Sequence, residues 1–147
     1  FIIIYLFSNL AAFGVVDVIA SATGRENMED YGGMFRKNSR LTWMMALALF
    51  SLAGIPPTAG FFGKLFLLTS AATPGNYAFL AFAALNMVIS LYYYLKVVRI
   101  MFQDNKNNAP DPITIHPAVQ LGFIICTAGI LLLGFLSWIY DQIRFLV

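Results

Sequence analysis

The stretch SLAGIPPTAGFFGKLFLLTSA, residues 51–71, interrupts an apolar run with two consecutive prolines. Pro56 and Pro57 have no amide N–H, so the carbonyls of Leu52 and Ala53, four residues earlier, lose their helical donors. Each proline also disfavours the α conformation of the residue before it. These constraints predict a broken helix. Since unsatisfied backbone groups are costly in lipid, the break must be buried in protein or line a wet cavity.

The composition of the 147-residue chain is that of a membrane protein. Hydrophobic residues make up 60% of it and charged residues 11%, with a mean hydropathy of +0.77, whereas about a quarter of the residues of soluble domains are charged. The net charge is only +2, and no basic tract is interleaved with aromatic residues, which argues against a nucleic-acid partner.

The chain lacks the residue patterns of a soluble-type enzyme. No segment offers a nucleophile–base pair or a set of metal ligands, so we predict neither hydrolytic chemistry nor a metal site. Cys126 lies in an apolar run and is expected to be a small buried hydrophobe. His116 follows a segment rich in proline and asparagine and is expected to be a loop residue.

Four apolar segments separated by polar turns predict an all-α integral membrane fold in one domain over 1–147. The second segment, of about 32 residues, is too long for one straight crossing of about 20, and a discontinuity at 54–57 accounts for the excess. Because the sequence opens inside an apolar helix, we expect it to be the C-terminal part of a longer polypeptide. The approximate segment bounds are 1–23, 41–72, 77–102 and 118–140.

The distribution of lysine and arginine predicts the orientation of the segments. If the loop after the first segment is cytoplasmic, Arg144 alone lies on the other side and Lys64 lies within the membrane. This asymmetry places both ends of the chain outside. The cytoplasmic side then holds Arg25, Arg36, Lys37, Arg40, Lys96, Arg99 and Lys106.

Lys64 is the candidate functional residue. It follows Pro57 by about 10 Å along a helix axis and lies far from the end of its segment. A lysine at the bilayer centre costs about 2.5–3.5 kcal/mol on insertion scales, and desolvation disfavours its charged form. We therefore predict a proton-carrying amine beside the break, with a snorkelling lysine or a structural ion pair as the alternatives. Gly54, Gly60 and Gly63 allow neighbouring backbone to approach closely.

Several polar residues of the third segment are candidates for a proton path beside Lys64 or, alternatively, for interhelical hydrogen bonds. Lys96 lies near the cytoplasmic end of this segment, where it either snorkels or serves proton entry. Asp17 is expected to be a solvated or paired interfacial carboxylate, and Ser8 a helix-packing group. The candidates share one helical face and are Asn86, Ser90, Tyr93 and Tyr94.

Three stretches carry a resemblance to a known family: YLFSNLAAFGVV at 5–16, LAGIPPTAGFFGKLF at 52–66 and ISLYYYLKVVRIMF at 89–102. In this order and spacing they resemble the last four membrane segments of subunit N of respiratory complex I, the proton-pumping NADH:quinone oxidoreductase. The resemblance covers nearly the whole chain and weakens in the loops and the final segment. It implies a 14-helix antiporter-like fold of two inverted repeats, each with a discontinuous helix.

The resemblance also implies a function. The chain would belong to a proton-translocating subunit that couples electron transfer from NADH to quinone to proton pumping. Lys64 would be the relay, and Tyr92, Tyr93 and Tyr94 the family's tyrosine-rich motif. FMN, iron–sulfur clusters and quinone would be bound by other subunits, so this chain would hold no cofactor. Its partners would be the other membrane-arm subunits and the lipid of a bacterial inner membrane.

Two alternatives stay open. The D subunit of multisubunit Na⁺/H⁺ antiporters has a similar GIPP…GFxGK stretch, so the break motif indicates only the superfamily, while LYYYLKV at 91–97 favours complex I. The sister subunits of complex I tend to have a glutamate, or a lysine followed by an acidic residue, at the position of Lys64, whereas Leu65 follows here. A structural membrane anchor would tolerate leucine at position 64 without loss of pumping.

Overall fold

The structure, a computed structural model, describes residues 2–24, 27–56, 58–71, 77–103 and 111–146, with the backbone alone for 71 and 137–146. All regular structure in these ranges is helical, as predicted. The elements are α1 (Ile2–Thr23), the 3-10 helix η1 (Met28–Tyr31), α2 (Met34–Lys37), α3 (Ser39–Ala53), α4 (Ala59–Ala71), α5 (Tyr77–Phe102) and α6 (Pro117–Leu146).

Three helices are long and apolar enough to cross a membrane: α1, α5 and the Pro117–Leu136 part of α6. The apolar helices α3 and α4 have 15 and 13 residues. At about 22 and 20 Å, each is shorter than a hydrocarbon core of about 30 Å. The chain is therefore an integral membrane protein with three full-length apolar helices and two short ones in its described part.

The last helix is longer than the sequence analysis predicted. The predicted segment ends at Tyr140, whereas α6 continues to Leu146. No glycine or proline lies between Phe135 and Leu146 to end the helix. The hydropathy pattern marks where apolar residues stop, but a helix continues until its backbone is interrupted.

Small residues allow α1 and α6 to pack closely. A Cβ atom on Gly14 would lie 2.7 Å from Cε1 of the Phe123 ring, and one on Gly129 would lie 3.5 Å from the ring of Phe7. The two contacts run in opposite chain directions, so the helices are antiparallel. α3 packs against both α1 and α5, and α6 also packs against α4.

The segment that leads into α6 is fixed to the start of α3. The Asn38 amide Nδ2 donates to the Asp111 carbonyl at 3.1 Å, and its Oδ1 accepts from the N–H of Ile113 at 2.9 Å. Lys37 Nζ lies 2.9 Å from Asp111 Oδ1. The buried side-chain amide of Asn38 therefore provides hydrogen-bond partners for two backbone groups of this segment, the Asp111 carbonyl and the Ile113 N–H.

An aromatic cluster joins α2, α3 and α5 at the same end of the molecule. The ring of Phe35 lies 4.9 Å from that of Phe102 and 6.4 Å from that of Trp43, and Trp43 lies 5.5 Å from Phe102. All three rings are partly exposed. The cluster holds α2 and the end of α5 against the beginning of α3.

Helix α4 begins beside the last turn of α3. Gly60 is buried, and a Cβ atom on it would overlap the carbonyl oxygen of Ser51. The Ser51 hydroxyl lies 2.7 Å from the Ser8 hydroxyl, which ties the same turn to α1. The end of α3 is thus enclosed by α1 on one side and α4 on another.

The close approach at Gly60 gives a stability prediction. We expect Gly60→Ala to destabilise the protein by about 1–3 kcal/mol or more, the usual effect of overpacking, because the methyl group would collide with backbone. Thermal unfolding of the complete assembly measures the effect. Gly122→Ala is the matched control, since its Cβ meets nothing within 4 Å. Equal unfolding midpoints for the two variants would contradict this placement of α4.

Candidate functional site

Helix α3 ends in a glycine turn. Gly54 has a φ of 80°, a left-handed conformation that suits a residue without a Cβ atom. Its N–H donates to the carbonyls of Phe50 and Ser51 at 3.0 and 3.1 Å, and the N–H of Ile55 donates to Phe50 at 3.0 Å. This Schellman arrangement provides donors for two of the four carbonyls in the last turn of the helix.

The other two carbonyls of the last turn belong to Leu52 and Ala53. In a continuous helix their donors would be the N–H groups of residues 56 and 57, which are absent because both residues are proline. The Lys64 ammonium takes their place: Nζ lies 2.7 Å from the Leu52 oxygen and 3.4 Å from that of Ala53. A side chain from α4 thereby caps α3.

The charge of Lys64 suits this position. The C-terminal end of a helix carries a partial negative charge, and cations stabilise it. Leu52 and Ala53 are buried and Lys64 is half-buried, so the two hydrogen bonds form partly out of water. The described hydrogen bonds of Lys64 run to backbone carbonyls rather than to a carboxylate, and Nζ points back towards the break.

Each glycine of the motif has a different place around the break. Gly54 makes the left-handed turn and also leaves room for the lysine stem, since a Cβ on it would lie 3.1 Å from Lys64 Cδ. Gly60 lets α4 pass the Ser51 carbonyl, and Gly63 is buried within α4. Pro56 is exposed in the turn, and Pro57 lies outside the described residues.

Thr58 stabilises the turn and is a residue that the sequence analysis missed. Its hydroxyl donates to the Ile55 carbonyl at 2.7 Å, and its N–H donates to the same oxygen at 3.0 Å. The position just before a helix commonly holds threonine, so its place between the prolines and Ala59 was a signal that the sequence offered.

A groove of about 410 Å³ opens beside Lys64 between α4 and α5. Its polar members are Lys64, Asn86 and Ser90, and the Ser90 hydroxyl donates to the Asn86 carbonyl at 2.8 Å. The volume is large enough for several waters at about 30 Å³ each. One amine, one amide and one hydroxyl therefore face a space otherwise lined by apolar side chains: Leu67, Leu68, Phe79, Ala83 and Met87.

The remaining candidates of the third segment lie outside this groove. Tyr93 is exposed and its ring packs 5.7 Å from that of Tyr92. Tyr94 packs against the buried core, and Lys96 is exposed. Tyr93 and Tyr94 are about two turns beyond Asn86 on α5, past the end of the groove at Ser90.

The structure also shows where the remaining residues discussed in the sequence analysis lie. Ser8 joins α1 to α3, whereas Asp17 is exposed on α1. His116 directly precedes α6, and its Nδ1 accepts from the N–H of Ala118 at 3.4 Å. Cys126 is partly rather than fully buried. Within the described ranges, no three His, Cys, Asp or Glu side chains come together as metal ligands.

Residues 1–90 match the family model described as NADH:quinone oxidoreductase/Mrp antiporter, transmembrane. The chain belongs to this family. The matched part of this chain contains the break, Lys64, Asn86 and Ser90, and it ends before the tyrosine motif.

Curated relatives of this antiporter family include NADH-quinone oxidoreductase subunit N of Phocaeicola vulgatus, 42% identical over 96% of this chain and 30% of that protein. The protein of the same name from Azobacteroides pseudotrichonymphae is 44% identical, over 97% and 30% respectively. NAD(P)H-quinone oxidoreductase subunit 2 of Microcystis aeruginosa is 34% identical over 93% of this chain and 29% of that protein. The chain thus spans about 30% of the length of the curated relatives it matches, and the predicted resemblance is confirmed.

The two roles of Gly54 can be separated by a matched pair of variants. Gly54→Ala and Gly24→Ala both place a side chain at positive φ, but the new methyl group meets Lys64 at position 54 and nothing within 4 Å at position 24. Strain alone costs about 1–2 kcal/mol. We expect Gly54→Ala to lower the thermal unfolding midpoint of the assembly more than Gly24→Ala does, and an equal loss would contradict the contact with the lysine stem.

Proposed function

We propose that this chain is part of a proton-translocating membrane subunit of NADH:quinone oxidoreductase, which couples electron transfer from NADH to quinone to proton pumping. The observation that carries the proposal is the Lys64 ammonium bound to the freed carbonyls of a broken helix, in a chain of the antiporter family. The relatives named as subunit N and subunit 2 support this assembly over an Na⁺/H⁺ antiporter.

Lys64 is suited to hold and release a proton because it has two different surroundings. On one side, the carbonyls of Leu52 and Ala53 accept hydrogen bonds from the charged amine. On the other side is the groove with Asn86 and Ser90. Water in the groove would take the proton from Lys64 and return one to the neutral amine.

The polar residues of α5 would take part to different degrees. Asn86 and Ser90 line the groove and would orient the waters next to Lys64. Tyr93, Tyr94 and Lys96 lie further along the same helix, so their part in the path would be nearer the cytoplasmic end of α5. This order follows from the distance of each residue from the groove along the helix.

We infer that α3 and α4 together form one discontinuous crossing, which makes four crossings with α1, α5 and α6. Their combined length and the capped break support this reading. Membership of the antiporter family supports a 14-helix inverted-repeat fold. The basic residues at one end support an orientation in which both ends of this chain lie outside a bacterial inner membrane.

The partners follow from the same proposal. The rest of the subunit would supply the first inverted repeat, and other membrane-arm subunits would neighbour it in the lipid. FMN, iron–sulfur clusters and quinone would be bound elsewhere in the complex, and redox energy would reach Lys64 as a change in the charges around it.

Pumping by the whole complex tests the proposal. In inverted vesicles driven by NADH, we expect Lys64→Ala to cut proton pumping at least about tenfold, the scale on which loss of a proton-transfer group is felt. Assembly is checked separately by the amount of intact complex. Arg40→Ala, which removes an exposed charge at the start of α3, is the control. Unchanged pumping in Lys64→Ala would leave the chain as a structural anchor.

The groove gives a second, smaller prediction. Asn86→Leu and Ser90→Ala keep side chains of compatible size but remove groups that bind water, so we expect each to lower pumping by a few-fold with assembly unchanged. Val88→Leu, on the exposed face of α5, is the control in the same assay. If both groove variants pump like the control, protons do not pass through this groove.

A further inference from the structure

The turn 54–56 is held closed by two kinds of hydrogen bond. The N–H groups of Gly54 and Ile55 donate to α3 carbonyls, and these bonds do not depend on any side-chain charge. The bonds from Lys64 to Leu52 and Ala53 are charge-assisted. Charge-assisted hydrogen bonds are roughly twice as strong as neutral ones. Loss of the proton would weaken the second set and leave the first unchanged.

We propose that the turn 54–56 is a protonation-sensitive hinge, which charged Lys64 holds closed and which opens when Lys64 gives up its proton. The inference rests on the proposed function, since that function assigns proton release to Lys64. The proton passes to water in the groove, and no other reactant is needed. In the open form the carbonyls of Leu52 and Ala53, which are now buried, bind water instead of the amine.

The surroundings of the turn favour a hinge at this point. Gly54 supplies a left-handed joint in the backbone, and Pro56 cannot donate a hydrogen bond that would hold the turn to α3. Thr58 bonds chiefly within the turn, to the Ile55 carbonyl, and its hydroxyl also reaches the Phe50 carbonyl of α3 at 3.4 Å, a bond that carries no charge. Lys64 therefore forms the link between α4 and the end of α3 that depends on charge.

The ionisable side chains that the structure describes on the packed helices lie away from the groove beside Lys64. α4 packs against α1, α3, α5 and α6. None of the described ionisable side chains on these four helices is among the groove-lining residues. Lys64 is thus the described ionisable group that both lines the groove and bonds to the end of α3. The groups compared are Tyr5, Asp17, Arg40, Tyr77, Tyr92, Tyr93, Tyr94, Lys96, Arg99 and Cys126.

Labelling of a cysteine in the turn tests the hinge. In the full-length subunit, assembled in the complex, Ile55→Cys is introduced while Cys126 and any other cysteine of the subunit are replaced by serine. Vesicles are treated with N-ethylmaleimide, and the labelling rate is divided by that of an exposed reference, Ser39→Cys. The position 64 variants are Lys64→Met and Lys64→Gln, both neutral, and Lys64→Arg, which keeps a permanent charge.

We expect Lys64→Met to label about tenfold faster than the wild-type lysine, a shift of about 1.4 kcal/mol in the opening equilibrium. Lys64→Arg should stay within about twofold of wild type, because a guanidinium still donates charge-assisted bonds. If Lys64→Met does not assemble, Lys64→Gln gives the same comparison and should also label faster. Equal rates for neutral and charged side chains in assembled complex would overturn the hinge.

Proton pumping by the same vesicles separates this inference from the proposed function. If Lys64→Arg and Lys64→Met both stop pumping but label equally, the hinge is wrong and the relay stands. If labelling follows the charge at position 64 while both variants pump normally, the charge-held turn is supported and the relay is overturned. The full proposal requires labelling that follows charge together with pumping that needs a lysine able to release its proton.

Discussion

The Lys64 ammonium on the carbonyls of Leu52 and Ala53 is the interaction on which the rest of the structure depends. A helix that ends inside a membrane protein leaves carbonyl groups without donors, and lipid cannot provide them. The two prolines create this deficit and the lysine removes it. Each would be costly alone, since a break without donors and a lysine without acceptors are both unfavourable at membrane depth.

This pairing explains why the surrounding residues have to be small or polar. Gly54 gives the turn its left-handed backbone and leaves space for the lysine stem, while Gly60 lets α4 lie beside α3. Two backbone carbonyls bind the ammonium without a carboxylate among its described hydrogen-bond partners, and in the proposed function its proton exchanges with water in the groove. A lysine held by a strong ion pair would be a poorer proton carrier, since the counter-charge would oppose proton release.

Much of this arrangement could be predicted from the sequence, because proline chemistry and helix periodicity act locally. The prolines identified the break, and the carbonyls that lose their donors followed from a spacing of four residues. Which group would replace those donors could not be predicted, since it depends on how α4 folds back beside α3. For the same reason the spacing placed Asn86 and Ser90 on one face with Tyr93 and Tyr94, but only the packing of α5 against α4 decides where the groove ends.

The most direct measurement is a cryo-electron-microscopy map of the complete assembly, at a resolution that defines the Lys64 side chain. The account predicts that Nζ lies within hydrogen-bonding distance, about 3.5 Å or less, of the Leu52 carbonyl oxygen, as the 2.7 Å separation here indicates. A Leu52 carbonyl bound to water, with the lysine directed away from the break, would contradict it.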